Sequence, residues 1–461
     1  MLNQLPISRL SGITFPAIAD GHGAMQLALQ YQLDASQWWS PERLQAHQFE
    51  QLRALLVHAA GTVPYYQQLF GQQGLQIPER IDAEYFRQIP ISRRLAIQQA
   101  EHAIESLALP AEHGGKEYGK TSGSTGRSVR FARTAVTRTF WLAFALRDHL
   151  WHGRDFAGKL AAIRWFARGL AEAPVGAHEP NWGVIVAPLF ATGPSCTLNV
   201  AATLAEQFDW LSRERPDYLV SFPSNLVALA GYAQEQGRAL PPVREIRTIG
   251  ESLGSAQRQL IETAWQARVV DIYTCEEAGY LALQCPSSGD YHVQAENVIL
   301  EIVDAHGAPC PPGKIGQVLI TSLHNFATPL IRYEVGDMAE FGEPCSCGRG
   351  LPVIRRIHGR KRNRLRLPSG ESLFPYLGEH GDISRVTGVK LYQFQCIQHS
   401  LEEIELKLVL ERPLDAAEQA AVSALMQRNL GHPFRVRFNF LQEIARGPSG
   451  KHEDFISLIA D

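Results

Sequence analysis

The sequence predicts an α/β protein: a large N-terminal α/β domain with mixed sheets over residues 1–360 and a small C-terminal α+β unit over residues 361–461. Three observations carry this. Residues 218–275 alternate strand, helix, strand, helix, strand, a pattern that implies parallel strands. Residues 291–341 turn β-rich, with apolar runs separated by turn residues. Near Gly359 the composition shifts, with seven Arg or Lys in the twelve residues from Arg355 to Arg366. A chain of 461 residues, 45% hydrophobic and 20% charged, can bury more than one sizeable core.

Residues 1 to about 115 read as mostly helical. Phe49, Leu52, Leu55, Leu56 and Ala59 recur at helical spacing on one face before a Val63-Pro64 stop, so the region is expected to be a docking layer rather than a reaction site. The uncharged stretch from Pro180 to Ala205 is long enough to span a bilayer, but its Gly, Pro and interspersed polar residues make a poor helix; buried strands and loops are expected instead. Tyr218–Phe222 reads as a strand, Ser224 as the N-cap of a helix ending at Gly237, Val243–Gly250 as the next strand, residues 255–266 as the next helix, and Val269–Tyr273 as the last strand. In the final hundred residues, strands are expected within 389–398 and 404–411, a helix at 415–431 and a strand at 434–441.

Charge and cysteine content narrow the function classes. With 44 Lys and Arg against 47 Asp and Glu, the formal net charge of −3 gives no overall field for nucleic acid or an anionic membrane. Seven cysteines in this length are sparse and odd in number, which suits a reducing compartment. The first fifteen residues carry no secretory or transit pattern, so a cytoplasmic, unprocessed chain is expected.

Ligands of parallel sheets sit beyond the carboxyl ends of strands, which draws attention to Thr274-Cys275-Glu276-Glu277 directly after a strand. The loop Thr121-Ser122-Gly123-Ser124-Thr125-Gly126 is rich in small and hydroxylic residues; it reads either as a plain polar loop or as an anion cradle of backbone N–H groups and hydroxyls. It lacks the Gly-Lys-Ser/Thr ending of a Walker A motif. Cys285, His292, Cys345 and Cys347 offer three thiolates and an imidazole, the donor set of a closed, structural Zn²⁺ site, with a chance set of unrelated thiols as the alternative. No Ser/His/Asp triad is apparent, and covalent catalysis by a protein nucleophile is not expected.

The strings Gly250-Glu251-Ser252, Asp271 to Glu277, Pro329 to Asp337, Gly359-Arg360 and Gly447 to Lys451 follow the Thr121 loop in order. This ordered set resembles the adenylate-forming superfamily, and within it the phenylacetate-CoA ligase family and the related capsule-biosynthesis adenylate-forming proteins. The resemblance implies a mobile C-terminal lid and an ATP-dependent, AMP-forming ligase that activates an aryl or other carboxylic acid as the acyl-adenylate and transfers it to coenzyme A. It implies that Thr121 to Gly126, with Thr125 among the catalytic groups, hold phosphate. Tyr273 would stack on adenine near Gly250, Glu251 and Asp271; Glu277 would hold Mg²⁺; Asp337 would accept the ribose hydroxyls; Arg360 would steady the ribose or α-phosphate; and Lys451 would reach the α-phosphate. Zinc at the Cys/His positions also occurs among the relatives. Two departures stand out: Glu276 replaces the usual Ser or Thr before the magnesium glutamate, and Arg362 replaces the usual hinge Asp. Phe140, Trp141, Phe222, Pro223, Ser224 and Gly250 to Ser252 would line the acyl pocket. The alternatives are delivery to a carrier-protein phosphopantetheine or an amine and, from another class, a non-catalytic nucleic-acid-binding zinc protein using the basic run. A homodimer is the assembly considered, and neither nucleic acid nor membrane is an expected partner.

Overall fold

The computed structural model describes residues 5–121, 128–378, 381–444 and 452–459, without the Arg362 side chain. Its centre is a 12-stranded sheet. Five strands are parallel: Ser195–Asn199, Leu160–Arg164, Tyr218–Ser221, Glu245–Thr248 and Arg268–Cys275, in that spatial order. The expected strand–helix alternation therefore produces parallel pairing over 218–275. Beyond it the sheet changes character. Arg268–Cys275 pairs antiparallel with Gly279–Gln284, and the antiparallel part continues through Tyr291–Val293, Val353–Arg360, Tyr333–Phe341, Ile315–Ser322 and Val298–Val303. One strand thus belongs to both halves, and the turn after it is where they meet.

Both faces are covered. Helices Leu204–Glu214, Pro223–Glu235 and Ser255–Trp265 pack on one face through Phe208, Leu226, Leu229 and Ile261 against Ile163, Leu219, Ile246 and Val269. Helix Ala135–Trp151 packs on the other, where Phe144 and Ala145 meet Ile272 and Leu283. The parity is that of a pleated sheet, in which Val269 and Ile272 point to opposite sides. Helix Pro41–Thr62 buries Phe49, Leu52, Leu55, Leu56 and Ala59 against the antiparallel half, the stripe read from the sequence, and packs Leu44 with Ala295 and Leu351. The stretch 180–205 contains the strand Ser195–Asn199 and loops, with the helix Leu204–Glu214 beginning at its end. No helix among the described residues is long and apolar enough to cross a membrane.

One local expectation is corrected. Ser224 is not the N-cap of its helix; Phe222 is, because Pro223 occupies the first helical position, where its missing N–H costs nothing and its fixed φ suits the helix. Ser224 is thereby freed for another contact.

After Val353–Arg360 the chain makes a short 3-10 turn at Lys361–Asn363 and enters a separate apolar cluster that runs from Leu365 to Phe455. Its four-stranded sheet has the order Arg435–Phe440, Glu403–Leu410, Leu391–Gln398, Phe455–Ser457, and helix Ala416–Leu430 covers it through Val422, Leu425 and Met426. The large mixed α/β part and the small C-terminal α+β unit are those expected from the sequence.

Beneath the parallel half lies a buried ionic cluster. Asp148, at the end of helix Ala135–Trp151, receives Arg154 at 2.6 Å and Arg247 at 2.7 Å, and Arg154 also meets Glu245 at 2.6 Å. Burial alone would push the Asp148 carboxyl up, but the two guanidiniums hold it well below the usual carboxylate range. The cluster ties helix to strand and cannot lose a member cheaply. Arg154→Met is expected to cost on the order of 3–5 kcal/mol, because it leaves two buried carboxylates short of a counter-charge; chemical denaturation showing a loss under about 1 kcal/mol would contradict this role.

Candidate active site

The site forms where the parallel and antiparallel halves join. Strand Arg268–Cys275 ends in the turn 276–278, and Glu277 in that turn is only 4% exposed. A buried carboxylate needs partners. Its Oε1 accepts from the Tyr333 hydroxyl at 3.2 Å and from Arg94 Nη1 at 3.3 Å, while Arg94 Nη1 also donates to the Tyr333 oxygen at 2.9 Å. Both protein contacts fall on Oε1, which leaves Oε2 without a partner among the described residues. The neighbouring Glu276 behaves differently: its side chain is 60% exposed and lies 3.5 Å from Arg133. Of the two adjacent carboxylates, Glu277 is the inward one.

Arg94 also reaches the loop that the sequence marks as a phosphate cradle. Its Nη2 donates to Thr121 Oγ1 at 3.1 Å, and Val129 N–H donates to the same oxygen at 2.9 Å. Thr121 N–H in turn donates to Val129 O at 2.9 Å, so the residues bracketing the loop are pinned together at the end of the hairpin Glu117–Lys120 and Arg130–Arg133. Ser122, Gly123, Ser124, Thr125 and Gly126 lie outside the described residues, as does Lys451.

Arg94 itself lies in the helical N-terminal region, which the sequence suggested would be a docking layer; that expectation is corrected. The segment before Arg94 is sewn to the antiparallel half: Ser92 N–H donates to Arg332 O at 3.0 Å and Glu334 N–H to Ser92 O at 3.1 Å. Arg332, with φ +45°, completes the seam by donating to Ile89 O at 2.7 Å and Arg87 O at 2.8 Å while its other nitrogens hold Glu301. These bonds put Arg94 beside Tyr333. The only signal in the sequence was a basic residue two positions after Pro90-Ile91-Ser92, which by itself points nowhere.

A second group faces the same strand end. Asp337 receives the Tyr273 hydroxyl at 2.8 Å on one oxygen and Arg360 Nε at 3.1 Å on the other. Asp337 and Arg360 are cross-strand partners. Gly336 and Gly359 flank them at φ +91° and +92°, a conformation that costs glycine little and lets both strands bend at the pair. Arg360 also donates to Val335 O at 3.0 Å. Burial, reinforced by the Asp337 charge, pushes the Tyr273 hydroxyl well above its usual range, so it stays a donor. The structure therefore brings Thr121, Tyr273, Glu277, Asp337 and Arg360 to one edge and adds Arg94 and Tyr333. Asp271, two residues back on the strand, has its carboxylate on Thr248 and on the Tyr291 hydroxyl, 2.7 Å away. Gly250 turns at φ +77°, and the Glu251 carboxylate binds Ser224.

Of the residues expected in an acyl pocket, Trp141 lies against Gly279, whose missing side chain leaves room for the indole, and Phe140 stacks on His324 with ring centroids 3.8 Å apart.

The Cys/His set lies at the far end of strand Gly279–Gln284, roughly 20 Å from the Glu277 turn at the usual rise per strand residue. The ligand atoms of Cys285, His292, Cys345 and Cys347 fall within 4.8 Å of one another. Cys285 Sγ and Cys345 Sγ are 3.9 Å apart, and Cys347 Sγ is 3.3 Å from His292 Nε2. Zinc–sulfur bonds of about 2.3 Å in a tetrahedron imply sulfur–sulfur edges of about 3.8 Å, so the quartet fits that ion. His292 Nδ1 faces Leu351 O at 3.4 Å, which orients the ring for ligation through Nε2. Burial would raise the Cys285 thiol, but His292 and backbone N–H groups bring it down to about 5.

Solved structures share the fold. The chain matches 2-hydroxyisobutyryl-CoA ligase, in the postadenylation state with 2-HIB-AMP, at a TM-score of 0.67 and 19% identity over 88% of each chain. It matches the same ligase with 2-HIB-AMP and CoA, in the thioesterification state, at 0.59 and 20% identity over 92% and 91%. The fold is that of the adenylate-forming CoA ligases. Within it, the chain is a homologue of the phenylacetate-coenzyme A ligases: it is 24% identical to that of Thermus thermophilus over 392 residues, 81% of this chain and 82% of the relative, and 24% identical to that of Escherichia coli over 352 residues, 74% and 77%. Residues 381–457 match the CapK C-terminal domain.

The Arg94–Glu277 pair predicts a coupling. Arg94→Met alone leaves Glu277 buried with only Tyr333 and is expected to destabilise by about 2–3 kcal/mol. Adding Glu277→Gln should recover at least about 1 kcal/mol of that loss, measured as a double-mutant cycle by denaturation. Strict additivity would show that the pair is not energetically formed.

Proposed function

We propose that the protein is an ATP-dependent, AMP-forming ligase that activates a carboxylic acid as its acyl-adenylate and transfers the acyl group to coenzyme A. The observation that carries this reading is the convergence at one sheet edge of Tyr273, Asp337 and Arg360 with Glu277, Arg94 and Thr121. The first three offer a ring, a hydroxyl-accepting carboxylate and a guanidinium to a nucleoside; the last three sit at the mouth of a small-residue loop suited to phosphates. The names of the relatives point the same way.

In the first half-reaction the substrate carboxylate attacks the α-phosphorus of ATP in line and pyrophosphate leaves. The protein's part is positioning and charge stabilisation. The loop Thr121–Gly126, with Thr125, closes on the phosphates. Arg94 is ready to exchange its Thr121 contact for a phosphate oxygen while still balancing Glu277. Asp337 takes the ribose hydroxyls, with Arg360 and the Tyr273 hydroxyl holding it in orientation, and the backbone at Gly250 and Glu251 meets the adenine edge. Asp271 supports the strand from below rather than touching base. Glu277 suits Mg²⁺, since Oε2 is open among the described residues; the ion would neutralise phosphate charge. Lys451 is assigned to the α-phosphate in this step. In the second half-reaction the C-terminal unit is expected to turn about residues 361–363, withdraw Lys451 and admit the thiol of coenzyme A.

Zinc is proposed at Cys285, His292, Cys345 and Cys347 as a structural ion, since all four positions of a tetrahedron are filled by protein and the cluster is remote from Glu277. The basic run serves the cleft: Arg360 holds Asp337 and Val335 O, and Lys361 lies 4.0 Å from Glu334. That commitment disfavours the reading of the run as a nucleic-acid surface.

The experiment that tests the proposal is pyrophosphate release across aryl, arylacetic and aliphatic acids, with and without coenzyme A. Acid-dependent release that turns over faster with coenzyme A is expected; release indifferent to every acid would remove the reading, and release accelerated only by a phosphopantetheinyl carrier or an amine would change the acceptor. Lys451→Ala is expected to slow adenylation by on the order of 10² to 10³ while sparing thioester formation from a pre-made acyl-adenylate. Equal loss in both would contradict its assignment. Elemental analysis of chelator-free protein should find about one Zn²⁺ per chain, and Cys347→Ser should lower stability before it lowers activity; metal-free, stable protein would refute the zinc site.

A further inference from the structure

Glu251 follows Gly250 at the exit of strand Glu245–Thr248, and its carboxylate collects donors from two parts of the molecule. Oε2 accepts the Ser224 N–H at 3.0 Å and Oε1 the Ser224 hydroxyl at 3.0 Å; Oε1 also accepts the backbone N–H of His452 at 2.7 Å. Ser224 stands at the N-terminus of helix Pro223–Glu235, whereas His452 belongs to the C-terminal unit. The His452 segment is itself fixed within that unit. Its ring Nε2 lies 3.0 Å from Phe394 O and 3.3 Å from Asp454, and the chain continues directly into strand Phe455–Ser457.

The same helix carries a second contact to the C-terminal unit at its other end. Glu235, its last residue, lies 2.7 Å from Lys390 Nζ, just before strand Leu391–Gln398, the strand that bears Phe394. A helix of 13 residues is about 20 Å long. One contact would leave the C-terminal unit free to pivot in every direction, but two contacts at opposite ends of a rigid rod leave only rotation about the line that joins them. The outer ion pair is a third exposed on each side and contributes little by itself. The inner bond joins a charged acceptor to a backbone donor, the stronger kind.

We propose that Glu251 is a positioning residue that registers the C-terminal unit for the adenylating half-reaction, its carboxylate capturing the backbone N–H of His452, the residue next to Lys451, while Lys390 and Glu235 set the outer point of the same docking edge. This rests on the two-step reading above. Turning the unit to the thioester-forming arrangement then requires the Glu251–His452 bond to break, so Glu251 favours the first step only.

The test uses the full chain and two readouts. Amide hydrogen exchange by mass spectrometry, which needs no substrate, should show the 452 amide at least about tenfold less protected in Glu251→Ala, with strands Leu391–Gln398 and Glu403–Leu410 unchanged. In the half-reactions, acid-dependent pyrophosphate exchange by Glu251→Ala should fall about tenfold or more. Because Glu251→Ala could disturb the Ser224 turn, His452→Pro provides the complementary deletion: it removes the N–H and leaves Glu251 in place. His452→Pro should lower pyrophosphate exchange about tenfold or more while thioester formation from a synthetic acyl-adenylate stays within about twofold, and His452→Ala, which keeps the N–H, should stay near wild type in both. Unchanged protection at 452, or equal losses in both half-reactions, would overturn the proposal. If the wild-type chain releases pyrophosphate with no acid, the ligase reading fails and the catalytic role with it, while the exchange experiment still decides whether Glu251 docks the unit.

Discussion

A carboxylate buried at the end of a strand is stable only beside a counter-charge, and much of this molecule is arranged so that Arg94 can be that counter-charge for Glu277. Arg94 comes from the N-terminal helical region, more than 180 residues away in sequence, and reaches the turn only because residues 89–92 are bonded to residues 332–334. That seam is held by the Arg332 guanidinium and by the apolar stripe of helix Pro41–Thr62 beneath it. Arg94 also fixes Thr121 at the start of the loop. One arginine therefore joins three separate parts of the chain.

The sheet explains why the site is at this place. In a doubly covered parallel sheet, strand ends on one edge are open to ligands. Here the last parallel strand, Arg268–Cys275, turns back on itself to start the antiparallel half, so the turn at 276–278 is flanked on one side by the parallel strand ends and on the other by the Asp337–Arg360 pair. Asp337 and Arg360 are thus brought together with Glu277 by topology, whereas the Cys/His quartet lies at the opposite end of strand Gly279–Gln284.

Particular residues show which features were legible in the sequence. The helix Pro41–Thr62 and the C-terminal helix Ala416–Leu430 were, because apolar periodicity and caps are local signals. So was the strand end before Glu277, and Cys285, His292, Cys345 and Cys347, grouped by residue type and order, do lie together. Arg94 was not, because its role depends on a long-range backbone seam that leaves no pattern near it. Ser224 was misread as a cap because Pro223 moves the helix start by two residues, and its true partner, Glu251, is distant in sequence. The extension of the parallel sheet into a continuous antiparallel half was equally hidden, because strand pairing between 268–275 and 279–284 is a matter of turn geometry rather than composition.

The central claim is that a substrate carboxylate oxygen becomes bonded to the α-phosphorus of ATP at this edge. The most direct measurement supplies the acid that drives the fastest pyrophosphate release with both carboxylate oxygens labelled by ¹⁸O and reads the products by mass spectrometry. The account predicts one ¹⁸O in the phosphate of AMP and none in pyrophosphate, since the acyl–phosphate oxygen leaves with AMP when the thiol attacks. Unlabelled AMP, or ADP with inorganic phosphate as the products, would contradict it.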